Sequence, residues 1–89
     1  MGPGIRTRIK ICGITRPEDA AAAVEHGADA LGFVLWKKSA RYVEPARMAS
    51  IARELPPFVT LVAVFVNPGA GEVQQVLDAW PSATLQFHG

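Results

Sequence analysis

Strand-like and helix-like patterns alternate along this chain, and that alternation restricts it to a parallel α/β sheet with crossover helices. Over residues 8–14, Ile9 and Ile11 fall on one face and Arg8, Lys10 and Cys12 on the other, the period of two of a strand. Thr15-Arg16-Pro17-Glu18 reads as a capping box with Thr15 as N-cap, and Asp19 adds charge at the positive end of the helix. Residues 20–24 favour helix, and Gly27 after His26 is placed to end it in the left-handed conformation. An apolar run over residues 30–36 has strand length, and a polar loop over 37–43 follows. A second helix begins near Pro45 with Met48, Ile51, Ala52 and Leu55 as its apolar stripe, and Pro56-Pro57 stops it. Residues 59–66 are β-forming and apolar on both faces. Val73, Val76, Leu77 and Trp80 stripe a third helix, and residues 83–88 form a last strand.

Two architectures suit this order: an open doubly wound sheet, or part of a (β/α)₈ barrel. The polar faces separate them. An open sheet packs helices on both faces, so its strands should be apolar on both sides. Here Lys10 and Cys12 on the first strand, and Thr84, Gln86 and His88 on the fourth, make one face polar. In a barrel that face points inward, and its last residues line a site at the strands' carboxyl ends. The expected fold is therefore α/β, the amino-terminal half of a TIM barrel with four parallel strands and three helices. Residues 1–7 read as a lead-in and residues 8–89 as one incomplete domain.

Composition removes several function classes. A single cysteine excludes a disulfide scaffold and a thiolate zinc cluster built by this chain alone. The net charge of +1 gives no reason to expect nucleic acid. The longest uncharged stretch, residues 55–71, is broken by Pro56, Pro57 and Pro68 and falls short of the roughly 18 residues of a membrane span. Met1-Gly2-Pro3-Gly4 lacks the apolar core of a signal peptide, and Arg6 stands where myristoylation needs Ser or Thr. The expected compartment is the cytoplasm, which also suits a free thiol.

Barrel parity brings Lys10, Cys12, Gln86 and His88 to one end of the interior. A lone cysteine is more often an inert buried hydrophobe. Yet a neighbouring ammonium favours thiolate in general, and Lys10 shares the face, so Cys12 is a candidate general base for a carbon-bound proton. Lys10 would otherwise satisfy interior carboxylates. Gln86 and His88, two apart on a strand end, suit contacts to one ligand as well as they suit structural hydrogen bonds. They have no carboxylate or thiolate beside them in sequence to suggest a metal. His26 is explained by the helix dipole. In the loop Lys37-Lys38-Ser39-Ala40-Arg41, the lysines read as solvated surface, while the Arg41 guanidinium can grip a carboxylate or phosphate. The expected ligand is a small anion.

Lys10-Ile11-Cys12-Gly13-Ile14-Thr15, Gly27-Ala28-Asp29-Ala30-Leu31-Gly32-Phe33, Ser39-Ala40-Arg41-Tyr42-Val43, Val64-Phe65-Val66-Asn67 and Gln86-Phe87-His88-Gly89 together resemble phosphoribosylanthranilate isomerase. The resemblance implies a cofactor-free enzyme of tryptophan biosynthesis, an aldose–ketose isomerase. It converts N-(5′-phosphoribosyl)anthranilate to 1-(2-carboxyphenylamino)-1-deoxyribulose 5-phosphate by an Amadori rearrangement. It further implies that Cys12 takes the proton from ribose C2′, that Arg41 binds the anthranilate carboxylate, and that Gln86 and His88 line the substrate pocket. Lys10, on the same cationic face, is a further expected substrate-binding residue. Three departures are visible and none removes a catalytic group: Phe87 for a usual leucine, Ala63 for a common glycine, and Trp36-Lys37 for an aromatic-Pro pair.

The family's general acid, an aspartate, and its phosphate site come from the second half of the barrel, so both are expected beyond residue 89. The 89-residue chain is expected to be inactive alone and to self-associate through its open sheet edges. The competing readings are a non-catalytic half-barrel fragment and a flavodoxin-like anion-binding module.

Overall fold

The structure is a computed structural model, and it describes residues 8–88; the lead-in expected over residues 1–7 and the terminal Gly89 lie outside the described residues. Seven elements follow the expected order: β1 (Lys10–Cys12), α1 (Pro17–Glu25), β2 (Ala30–Val34), α2 (Pro45–Arg53), β3 (Thr60–Val66), α3 (Ala70–Ala79) and β4 (Thr84–His88). All neighbouring strands pair in parallel, in the spatial order β1-β2-β3-β4. That order decides the architecture. A flavodoxin-like sheet reverses its strand order after the first strand and carries helices on both faces. Here the order never reverses, and the flavodoxin-like alternative is overturned.

The core confirms one-sided packing. Leu31, Phe33, Leu61, Ala63 and Phe65 point to the same side of the sheet and are buried against Ala20 of α1, Met48, Ile51 and Ala52 of α2, and Val76 of α3. On the other side, register aligns Lys10 with Ala30 and Thr60, and Cys12 with Gly32, Val62 and Thr84. This second, barrel-interior face is polar at its two edge strands, where Lys10, Cys12 and His88 are exposed. At the amino ends, Asp29 ties three strands together. Its carboxylate accepts from the Ile9 N–H at 2.8 Å, its own N–H donates to the Ile9 carbonyl, and its carbonyl accepts from Thr60.

Helix starts differ from expectation in one place. The capping box at Thr15 does not form, and Arg16 is the N-cap of α1 with no side-chain capping bond. Pro17 at the first helical position explains this: a residue before proline is pushed out of the helical region, and Arg16 is extended (φ −132°, ψ 147°). The Arg16 guanidinium instead forms a two-bond pair with the Asp19 carboxylate, both contacts at 3.0 Å. The hydrogen bond to Asp19 raises the guanidinium above its usual range, and the same bond holds the Asp19 carboxyl below its own. At α3 the Glu72 carboxylate accepts from the Gly69 N–H at 3.1 Å, an N-terminal cap that needs no side chain from Gly69.

The strands are also shorter than their sequence patterns. β1 ends at Cys12 because Gly13 turns the chain at φ +86°. β2 ends at Val34, where the Val43 N–H folds back to the Val34 carbonyl and continues the ladder with a different segment. Leu55, counted in the stripe of α2, lies past the helix end yet packs against the core.

Candidate functional site

Cys12 and His88 close their strands and Arg41 lies in the loop after β2, the end where βα barrels carry their chemistry, whereas Lys10 opens β1 at its amino end and Gln86 lies two residues before the end of β4. Cys12 closes β1, and its carboxyl-side turn is pinned: the N–H groups of Gly13 and Ile14 both donate to the Gly32 carbonyl, at 3.0 and 3.1 Å. Gly32 stands beside Cys12 in the ladder, and a Cβ there would lie 2.8 Å from the Cys12 Sγ. Its backbone angles are ordinary, so the glycine is there for space. The thiol occupies room that any other residue at this position would fill.

Arg41 reaches the same spot from β2. Its loop is tightened by the Arg41 N–H donating to Ser39 Oγ at 3.1 Å and by the Tyr42 N–H donating to the Ser39 carbonyl. The side chain then lies over Gly13, where a Cβ would come within 2.7 Å of both Arg41 Cδ and Nη1. Gly13 is thus required twice, for its left-handed turn and for the approach of the guanidinium. Lys37 and Lys38 are exposed, as a solvated loop predicts. Arg16, though at the same end, is paired with Asp19.

Lys10, Gln86 and His88 form one hydrogen-bonded chain. Lys10 Nζ donates to Gln86 Oε1 at 2.6 Å, and Gln86 Nε2 meets His88 Nε2 at 2.8 Å. Lys10 and Gln86 belong to the first and fourth strands of the sheet. In a flat sheet three strand spacings separate them by roughly 14 Å; their contact across the polar face therefore reports a sheet curled as a barrel wall. The partner Lys10 finds is an amide, where the sequence suggested interior carboxylates.

Sequence reasoning named five side chains. The structure brings Cys12 and Arg41 together about Gly13 and joins Lys10, Gln86 and His88 along the interior, but Lys10 stands at the amino end of β1 and reaches the others only through its long side chain. It missed the two glycines that make the geometry. Their signal was present in position alone, Gly13 after the strand and Gly32 in the next strand. A separate groove lined by Pro56, Pro57, Trp80 and Thr84 opens at the amino ends of β3 and β4. That end of a barrel serves stability.

Strands in chain order, helices on one face and a cationic, cysteine-bearing rim at the carboxyl ends define the amino-terminal half of a (β/α)₈-barrel protein. A family model described as N-(5′phosphoribosyl)anthranilate (PRA) isomerase matches residues 9–89. N-(5′-phosphoribosyl)anthranilate isomerase of Bordetella pertussis is 58% identical over 85 residues, covering 96% of this chain and 39% of the relative. The crystal structure of phosphoribosyl anthranilate isomerase from Thermotoga maritima superposes with a TM-score of 0.88 at 48% identity, over 94% of this chain and 41% of that one. A phosphoribosyl anthranilate isomerase in complex with reduced 1-(o-carboxyphenylamino)-1-deoxyribulose 5-phosphate aligns equally well, again at a TM-score of 0.88 and 48% identity, over 94% of this chain and 43% of that one. The chain belongs to the phosphoribosylanthranilate isomerase family. It spans about two-fifths of the length of the relatives it matches.

Proposed function

We propose that these residues are the proton-abstracting half of a phosphoribosylanthranilate isomerase of tryptophan biosynthesis, working in the cytoplasm. The observation that carries the reading is the Cys12 thiol, exposed at the carboxyl end of β1 in space kept open by Gly32 and flanked, across Gly13, by Arg41. The substrate is N-(5′-phosphoribosyl)anthranilate. Arg41 takes the anthranilate carboxylate in a charge-assisted pair, which orients the ribose toward Cys12. Protonation of the ring oxygen breaks its bond to C1′ and leaves a protonated imine. The Cys12 thiolate then removes the C2′ proton, and the electrons of that bond form the C1′–C2′ double bond while neutralising the nitrogen. The resulting enol becomes the ketone as C1′ gains a proton and the C2′ hydroxyl gives up its own. C2′ is oxidised from alcohol to ketone as C1′ is reduced, so the rearrangement is an isomerisation that needs no redox partner. Among the described residues no helix is long and apolar enough to cross a membrane.

The test is a chimera in which this chain is joined to the remaining length of the Bordetella pertussis relative. The chimera is expected to consume the fluorescent substrate and to support growth without tryptophan in a strain lacking the isomerase. The 89-residue polypeptide alone is expected to do neither, since a base without its acid loses about 10²–10⁴-fold. An inactive but folded chimera would overturn the reading.

The edges support a second property of the isolated polypeptide. On the helix-facing side, Ile11 of β1 is 40% exposed and Phe87 of β4 is 56% exposed, one at each edge of the sheet. Both edges also present strand backbone that has no partner among the described residues. Self-association is the expected result. Light scattering that reports a monomer of 9.5 kDa with a cooperative melt would contradict it.

A further inference from the structure

The chain of hydrogen bonds from Lys10 to His88 has a direction. Lysine carries donors only, so the Gln86 oxygen must face Lys10, as it does at 2.6 Å. The other end of the amide is then its NH₂ group, also donors only, and it faces His88 Nε2 at 2.8 Å. A nitrogen that accepts a hydrogen bond carries no proton. In neutral imidazole the remaining proton must sit on the other nitrogen, because the bond made by one ring nitrogen sets the state of the other. Turning the amide over would place its donors against the ammonium and lose the shorter contact.

We propose that Gln86 relays the Lys10 ammonium to His88 and fixes its ring as the neutral tautomer protonated at Nδ1. His88 then offers the site one hydrogen-bond donor, at Nδ1, and neither a cation nor a free base at Nε2. The ligand atom it takes is an acceptor oxygen, a hydroxyl, carbonyl or carboxylate. Lys10 acts through Gln86 as a positioning residue. This assignment rests on the reading of the strand ends as a substrate site, while the state of the ring can be measured without substrate.

Nitrogen-15 spectra of the histidine rings distinguish the two tautomers and the imidazolium. The chain has two histidines, and His26→Gln assigns the signals. At about pH 8, above the ordinary histidine range near 6.5, His88 is expected to be protonated predominantly at Nδ1. Lys10→Arg, also a pure donor, should keep that state. Lys10→Met should release the amide and shift the ring toward the Nε2-protonated form. Gln86→Glu, nearly isosteric, presents only acceptor oxygens to both partners, and it should invert the tautomer so that Nε2 donates. This variant keeps the relay testable even if Lys10→Met does not fold. A wild-type ring protonated at Nε2, or a Gln86→Glu ring still protonated at Nδ1, would overturn the proposal. Neither result touches the role of Cys12, and an inactive but folded chimera would overturn the isomerase reading without moving the His88 spectrum.

Discussion

Cys12→Ala is expected to lower kcat of the chimera by about 10²–10⁴-fold, the range lost when a positioned general base is removed. KM should change little, because in the proposed reaction the thiol meets a carbon-bound proton while Arg41 takes the substrate's carboxylate. Stability should also hold. Cys12 lies on the exposed, interior side of β1 and outside the buried core, so truncating it opens no cavity among the helices. Cys12→Ser fills nearly the same space and should be almost as inactive, since a hydroxyl yields far less oxyanion than a thiol near neutral pH. Steady-state kinetics by loss of substrate fluorescence, with urea midpoints on the same samples, measure all three effects. An alanine variant that kept most of the parental turnover would show that Cys12 is not the base.

The fold was legible because local and long-range signals agreed. Met48, Ile51 and Ala52 mark the buried face of α2 by spacing alone, and all three are buried in the core. The alternation of Lys10 and Cys12 with Ile9 and Ile11 separated the interior of β1 from its helix-facing side, and parity on β4 did the same for Gln86 and His88. Together these implied a barrel wall, and the unreversed strand order bears that out. Helix starts were less legible. Thr15 and Glu18 have the composition of a capping box, but Pro17 imposes its own constraint on the preceding residue, and that constraint prevails.

For the site, residue types were readable and their partners were not. Sequence places Lys10 and Gln86 on the interior face without revealing that they touch, since the contact depends on how far the sheet curls between residues 76 apart in sequence. The glycines escaped notice for a related reason. What Gly32 does is an absence of atoms beside Cys12, and such a role shows only when the neighbouring strand is in register.

Phe33→Ala is expected to destabilise the 89-residue chain by about 3–5 kcal/mol, the usual cost of truncating a buried phenylalanine. Phe33 is fully buried near the carboxyl end of β2, on the helix-facing side, and its lateral neighbour in β3 is the small Ala63, itself fully buried. The large ring fills space that Ala63 leaves, so truncation opens a cavity that neither strand can close without breaking the ladder. A domain of this length holds roughly 4–13 kcal/mol in all, so the variant should sit near the unfolding threshold. Urea melts at matched protein concentration should show a midpoint lower by about 1–5 M. Phe87→Ala supplies the contrast. It removes the same ring from a position that is 56% exposed and stacked on Phe65 with centroids 5.6 Å apart, and it should cost much less in the isolated chain diluted until it is monomeric. In the chimera the edge beyond β4 is paired and covered, so the cost of Phe87→Ala should rise while that of Phe33→Ala stays the same. Equal costs at the two positions in the undiluted isolated chain would mean that its β4 edge is already buried, by a second copy of the same sheet.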